Sequence, residues 1–279
     1  MPAVPALPEG ARHAPGRRPD GGVREVVVGR NPILEILLAG RRTVRKVQVA
    51  DGAAEQGRLG RLIREAGQRG VQVERVPRSA LDRLSDSHQG VAALVDPYPY
   101  VSLDEILDRA RFAHEPPFLL VLDIVQNPQN LGSLMRTAEA VGVHGVVLPL
   151  RRGGGITAAV VSASAGATEH LLVVTANLAQ ALGRLKAAGV WVIGLERGAG
   201  STRLDQARLG GPLALVIGGE GAGMRRLVRD SCDLLVEIPM RGRVDSLNAA
   251  VAGSIGLYAA WQARAFEGAA LAPDVGVVD

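Results

Sequence analysis

Apolar positions along the chain fall into short runs that alternate with stretches of helical period. V-V-V-G (26–29) reads as a strand, and Ile33, Leu34, Leu37 and Leu38 then mark a helix closed by Gly40. Strand K-V-Q-V-A (46–50) precedes a helix over about 55–69 with Leu59, Leu62, Ile63 and Ala66 on one face. Strand V-Q-V-E-R-V (71–76), a short helix near 79–84 and strand V-A-A-L-V (91–95) complete a small α/β unit. A helical connector (103–111) and Pro116-Pro117 lead to a second unit. It holds strands at 119–125, 145–149, 170–174, 190–195, 213–218 and 234–239. Helices are expected at 131–141, 157–165, 178–187, 223–229 and about 247–265. Nearly all-apolar strands alternating with helices predict an α/β fold with a mostly parallel sheet covered on both faces. The expected divisions are an arm (1–22), a first domain (23–97), a linker (98–117), a second domain (118–266) and a tail (267–279).

Composition narrows the possibilities. The chain has 279 residues, 47% hydrophobic and 22% charged, which excludes a collagen-like or wholly disordered protein. The single Cys232 excludes a disulfide framework and a Cys-cluster zinc site, so no metal is expected and Cys232 reads as a small hydrophobe. F-L-L-V-L-D-I-V is interrupted by Asp123, and the uncharged run 246–263 carries Ser, Asn, Gln and Gly, as a buried helix would. With no apolar leader at the N-terminus, a soluble cytoplasmic protein with no membrane partner is expected. Residues 1–22 hold five of the sixteen prolines and read as a disordered basic arm. From Arg12 to Lys46, nine cations face Asp20, Glu25 and Glu35. Such clustering suits a polyanion, because phosphate binding releases counterions, but a solvated basic face gives the same pattern. Aromatics make up only 3%, which argues against a platform of stacked bases; Trp191 and Trp261 read as core or dimer-contact residues.

Three loops follow strands of the second unit, at the ends where open parallel sheets place ligands. In D-I-V-Q-N-P-Q-N-L-G-S-L-M-R-T-A (123–138), Asn130 is a candidate cap for a helix beginning at Leu131. Arg136 lies off the apolar stripe of that helix, where spacing alone favours a plain surface charge. V-I-G-G-E-G-A-G-M (216–224) lets backbone approach a ligand but has neither the phosphate-loop pattern nor the dinucleotide fingerprint. A nicotinamide-dependent oxidoreductase is disfavoured accordingly. In E-I-P-M-R-G-R-V-D-S-L-N-A-A (237–250), Asp245 or Ser246 can cap the last helix, Arg241 and Arg243 flank the loop, and Asn248 needs a partner if buried.

Taken together, N-P-Q-N-L-G-S-L-M-R-T-A, S-A-G-A (164–167), I-G-G-E-G-A-G-M and I-P-M-R-G-R-V-D-S-L-N resemble, in order and spacing, the SpoU/TrmH family of RNA ribose 2′-O-methyltransferases. H-Q-G-V-A-A (88–93) is similar to the end of the small, ribosomal-protein-like substrate-binding domain of members acting on large-subunit ribosomal RNA. The resemblance implies a SPOUT fold threaded as a deep trefoil knot, S-adenosyl-L-methionine as cofactor, and a homodimer. Carried over by position, it implies cofactor binding by Gly218, Ile238 and Leu247, with Gly194 and Met240 lining the same loops. Asn130, Arg136, Glu220, Ser246 and Asn248 fall on catalytic and RNA-facing positions. Asn127 departs from the Asp common before the proline.

The implied substrate is a guanosine of 23S ribosomal RNA. A guanosine of tRNA and a nonenzymatic RNA-binding role are the alternatives. Methyl transfer from a sulfonium is an in-line displacement in which positioning and a fixed polar environment supply most of the catalysis. No His stands in the three loops. A guanidinium stays protonated, so Arg136 suits holding the adjacent phosphate and a developing alkoxide better than removing a proton.

Overall fold

The protein is described by a computed structural model covering residues 24–151, 154–219, 221 and 223–269. The expected basic arm, Glu220 and residues 270–279 of the expected tail lie outside the described residues.

The first unit contains β1 (Glu25–Val28), α1 (Arg30–Ala39), β2 (Val44–Ala50), α2 (Gly57–Gln68), β3 (Gln72–Val76), α3 (Arg78–Asp82) and β4 (Val91–Val95). Its sheet has the order β1-β4-β2-β3, with β4 antiparallel to both neighbours and β2 parallel to β3. The H-Q-G turn entering β4 is fixed by its own side chains. Buried His88 accepts the Gly90 N–H at Nδ1 (2.8 Å) and places Nε2 2.8 Å from Asp82 Oδ1. Gln89 Oε1 accepts the Arg30 N–H (3.1 Å), which ties the turn to the start of α1.

The second unit runs α4 (Leu103–Ala113), β5 (Phe118–Asp123), α5 (Pro128–Ala140), β6 (Gly145–Pro149), α6 (Ala158–Ala163), β7 (Leu172–Ala176), α7 (Leu178–Ala187), β8 (Trp191–Leu195), β9 (Thr202–Arg203), β10 (Leu213–Gly218), α8 (Arg226–Arg229), β11 (Leu234–Glu237) and α9 (Ala249–Gln262). The sheet order is β7-β6-β5-β10-β8-β11-β9, and every pairing is parallel. Alternation along β5 feeds two cores. Phe118, Leu120 and Leu122 pack with Leu131, Leu134 and Met135 of α5 and Leu257 of α9. Leu119 and Val121 pack with Leu103 and Ile106 of α4 and Leu178 and Leu182 of α7. Burial of both faces explains why these strands carry almost no polar residue.

Several expectations are corrected. The expected helical connector is α4, which packs against the second unit's sheet. A Ser102–Glu105 capping box starts it, and Ile106 lies so close to Gly145 that a Cβ there would sit 2.5 Å from its side chain. Helix α5 starts at Pro128 under an Asn127 cap, not at Leu131 under Asn130, because proline at the first helical position is pre-set for helix. Helix α9 is capped by Asn248, not by Asp245 or Ser246. The helix expected at 223–229 shortens to Arg226–Arg229, since the glycine-bearing loop extends to Arg225. Trp191 is exposed on β8, not a core residue. Burial pushes the Cys232 thiol up to about 12, in keeping with a packing residue.

The two units meet through a buried polar joint. Arg42 Nε and Nη2 donate to Glu169 Oε2 (3.0 Å) and Oε1 (2.8 Å), and both side chains are 1% exposed. The Tyr98 hydroxyl lies 2.9 Å from the Thr168 carbonyl and 2.6 Å from that of Leu171, and Arg41 also bonds the Leu171 carbonyl. S-A-G-A forms the turn beneath this joint. At Gly166 (φ +91°) a Cβ would lie 2.7 Å from the Glu35 side chain, so a glycine here lets α1 cross closely.

His144 gives a pH signature. Its buried ring accepts the Phe118 N–H at Nδ1 (3.0 Å) and places Nε2 3.1 Å from Glu115 Oε2. Protonation at Nδ1 would break the first bond, and burial lowers the pKa below its ordinary 6.5. The folded chain therefore binds fewer protons than the unfolded chain in that interval. This group's contribution is complete above pH 6.5 and is lost as pH falls through the folded pKa. Urea unfolding at about pH 7.5 and about pH 5.5 should show the loss, and His144→Gln should reduce it.

Candidate active site

Strand register sets the site. Asp123 ends β5 opposite Gly218 at the end of β10, Leu195 of β8 faces Ile217, and Val236 of β11 faces Leu195. The segments after β5 (124–127), β8 (196–201), β10 (219–225) and β11 (238–248) therefore leave the sheet at one edge.

Helices α5 and α9 lie side by side with both N-termini at this edge. Asn248 Oδ1 accepts the N–H groups of Ala250 (2.9 Å) and Val251 (3.2 Å), while its Nδ2 donates to Asn130 Oδ1 (3.2 Å). Further along, a Cβ on Gly253 would lie 2.5 Å from Leu134 Cδ2, and the hydroxyls of Thr137 and Ser254 are 2.8 Å apart. Two positive helix ends thus sit together beside the loops, a setting that favours an anionic group.

The glycine-rich loop folds back tightly. A Cβ on Gly218 would fall 2.4 Å from the Gly223 carbonyl carbon, and one on Gly219 would fall 2.4 Å from the Ile124 oxygen. Gly219 and Gly223 form an antiparallel bridge across the turn. Ile124 itself has φ +60°, a strained conformation for a β-branched residue. The loop after β11 is different in kind. Ile238, Met240 and Leu247 are half-buried, whereas Arg241, Arg243, Val244, Asp245 and Ser246 are exposed. Among the described residues, no backbone–backbone hydrogen bond outside the regular elements involves 239–247.

The expected site residues thus fall into distinct settings. Asn130 and Asn248 touch, and Gly218 is pressed against its own loop. Gly194 lies within β8, where a Cβ would meet Met224, Cys232 and Leu235 between 2.6 and 2.9 Å away, so its open side is filled by core side chains. Ser246 is exposed on the loop approaching Asn248. Arg136 is exposed in the third turn of α5, farther from the helix start than a helix beginning at Leu131 would put it. Helical side chains tilt toward the N-terminus, which turns Arg136 back toward the site edge. Among the described residues no carboxylate pairs with it. Sequence reasoning missed Asp123, Glu196 and Arg225 at the base of the loops. Their signal was present: a carboxylate closing an otherwise apolar strand is rarely buried without a partner.

Comparison with known proteins gives this geometry a lineage. Residues 117–258 match the SpoU rRNA Methylase family, just over half of the chain. The chain belongs to the SpoU family. Residues 26–101 match a domain described as RNA 2′-O ribose methyltransferase substrate binding. YacO of Bacillus subtilis, assigned to the TrmH family of tRNA/rRNA methyltransferases, is 43% identical over 244 residues, covering 86% of this chain and 96% of that protein. An uncharacterized tRNA/rRNA methyltransferase of Mycolicibacterium vanbaalenii is 41% identical, covering 91% of this chain and 81% of its own. Among solved structures, the SpoU methyltransferase AviRb of Streptomyces viridochromogenes in complex with AdoMet superposes with a TM-score of 0.71. It is 26% identical and covers 87% of this chain and 91% of its own. This SpoU protein is therefore an S-adenosylmethionine-dependent RNA methyltransferase with an N-terminal substrate-binding domain. Its residues suit the cofactor: the segment after β11, with half-buried Ile238 and Leu247 and, among the described residues, no backbone–backbone hydrogen bond outside the regular elements along 239–247, leaves the sheet at the same edge as the folded-back glycines.

Proposed function

We propose that this methyltransferase modifies a ribose 2′-oxygen of a guanosine in 23S ribosomal RNA. The observation that carries the reading is the Asn130–Asn248 contact, which joins two helix N-termini beside the glycine-rich loop at the edge of the parallel sheet. The match of the first unit to a ribose 2′-O substrate-binding domain supports the sugar oxygen as target. In this reading Gly218, Ile238, Met240 and Leu247 hold adenosine largely through main-chain groups. The cofactor supplies an electrophilic methyl group on a sulfonium. Asn130 and Asn248 fix the helix ends and orient the nucleotide, Ser246 contacts it from the loop, and Glu220, in the segment after β10, positions Arg136 or a ribose hydroxyl. Arg136 holds the adjacent phosphate and stabilises negative charge developing on the attacking oxygen. Gly194 serves packing beneath the site rather than ligand contact. The loops thread through one another as a trefoil knot.

The active form in this proposal is a homodimer. Val251, Ile255 and Tyr258 form an exposed apolar stripe on α9, continued by Trp261 and Phe266, whose rings are 5.0 Å apart. Tyr258→Asp should convert a dimer to a monomer in size-exclusion chromatography with light scattering.

Mapping ribose methylation on ribosomal and transfer RNA, with and without the gene, tests the substrate. One 23S guanosine should lose its 2′-O-methyl group. Loss at a tRNA guanosine would favour that substrate instead, and no loss would overturn the reading.

A further inference from the structure

We infer that Asp123, Glu196 and Arg225 are positioning residues that clamp the glycine-rich loop in its cofactor-binding shape. The inference rests on the proposed role of that loop in holding the cofactor. Asp123 is fully buried at the end of β5, and its two oxygens grip a single residue. Oδ2 accepts the main-chain N–H of Arg225 (2.8 Å), while Oδ1 accepts its Nε (2.8 Å) and pairs with Nη2 (2.7 Å). Glu196, the first residue after β8, does the same work from the other side of β10. Its Oε2 accepts the Met224 N–H (2.9 Å) and its Oε1 pairs with Arg229 Nη1 (3.2 Å). Two successive loop amides, 224 and 225, are thus each held by a carboxylate from a flanking strand.

The opposite limb is held by sterics. Gly219 rests on the Ile124 carbonyl, which the left-handed Ile124 directs at it, while on the first limb a Cβ at Gly223 (φ +65°) would lie 2.8 Å from Glu196 Oε2. Both limbs are fixed at the base, so Gly219 and residues 223–225 meet the ligand already in place, which is how preorganisation raises affinity. An apolar pair would serve burial alone equally well; charged hydrogen bonds add a defined geometry.

The test uses the full-length protein and S-adenosylmethionine itself. Glu196→Ala, whose side chain reaches the surface, and Asp123→Asn are compared with Glu196→Gln, which still accepts the Met224 N–H. Calorimetry should show cofactor affinity falling about tenfold or more in Glu196→Ala and Asp123→Asn. The KM for cofactor should rise, with kcat at saturation and the KM for RNA little changed, and Glu196→Gln should recover most of the loss. Unchanged affinity in folded Glu196→Ala would overturn the clamp. Gly218→Val serves as the reference: if it abolishes binding while Glu196→Ala does not, the clamp fails and the cofactor site stands. If neither affects binding, both fail.

Discussion

Arg136→Ala should lower methyl transfer by about a thousandfold while leaving S-adenosylmethionine affinity nearly intact, the magnitude expected when a charge aimed at the transition state is removed. The side chain is exposed and stands off the buried stripe of Leu131, Leu134, Met135 and Ala138, so the substitution removes no core contact. Surface changes of this kind usually alter stability by less than about 0.5 kcal/mol, so the loss would belong to chemistry rather than folding. Arg136→Lys keeps the charge but not the planar fork and should recover only part of the rate. Single-turnover kinetics with calorimetry of cofactor binding separates the two effects. Wild-type turnover in Arg136→Ala would remove the residue from the mechanism.

Arg42→Ala should destabilise the protein by about 3–5 kcal/mol, because it leaves Glu169 buried without its partner. Both groups are 1% exposed, so solvent cannot replace the lost bonds. Burial holds the Glu169 carboxyl above its ordinary 4.5, with Arg42 opposing the rise. A raised carboxyl pKa means that the folded state binds more protons than the unfolded state in that window. This group's contribution is complete at low pH and is lost as pH rises through the folded pKa. Without Arg42 the rise should be larger, so the deficit of Arg42→Ala should shrink on acidification. The double change Arg42→Met with Glu169→Leu should recover much of the loss, since a well-packed apolar pair often matches a buried ion pair. Urea unfolding of the single and double variants across pH measures both effects. The same joint makes point substitutions in the first unit a cleaner test of RNA recognition than its removal, which would also strip the cover from Glu169 and the turn around Gly166.

What the sequence disclosed follows the range of the interactions involved. Strands Val91–Val95 and Leu213–Gly218 and helix Leu178–Ala187 agree with expectation to the residue, because local apolar runs and helical period mark them. Helix starts were harder to place. Asn127-Pro128 carried a cap and a first-turn proline, yet the same pair also reads as a turn, and Asn248 reads as readily inside a helix as at its cap. The two-residue strand Thr202–Arg203 has too little length to leave a period. The joint between units was illegible for another reason: Arg42 and Glu169 are 127 residues apart, and nothing local to either marks the partner. Asp123 was visible only as an interruption of an apolar run, whereas its grip on Arg225 depends on a contact 102 residues away. At the site, the glycines and asparagines stood out by pattern. The carboxylates that hold the base of the glycine-rich loop did not.

The central claim is that the loops after β5, β10 and β11 bring a methyl donor to a sugar oxygen. Purified protein incubated with isotope-labelled S-adenosylmethionine and unmodified 23S RNA, followed by nucleoside digestion and mass spectrometry, tests it most directly. Label in 2′-O-methylguanosine is the predicted result. Label confined to a base-methylated nucleoside, or absent while the cofactor binds, would contradict it.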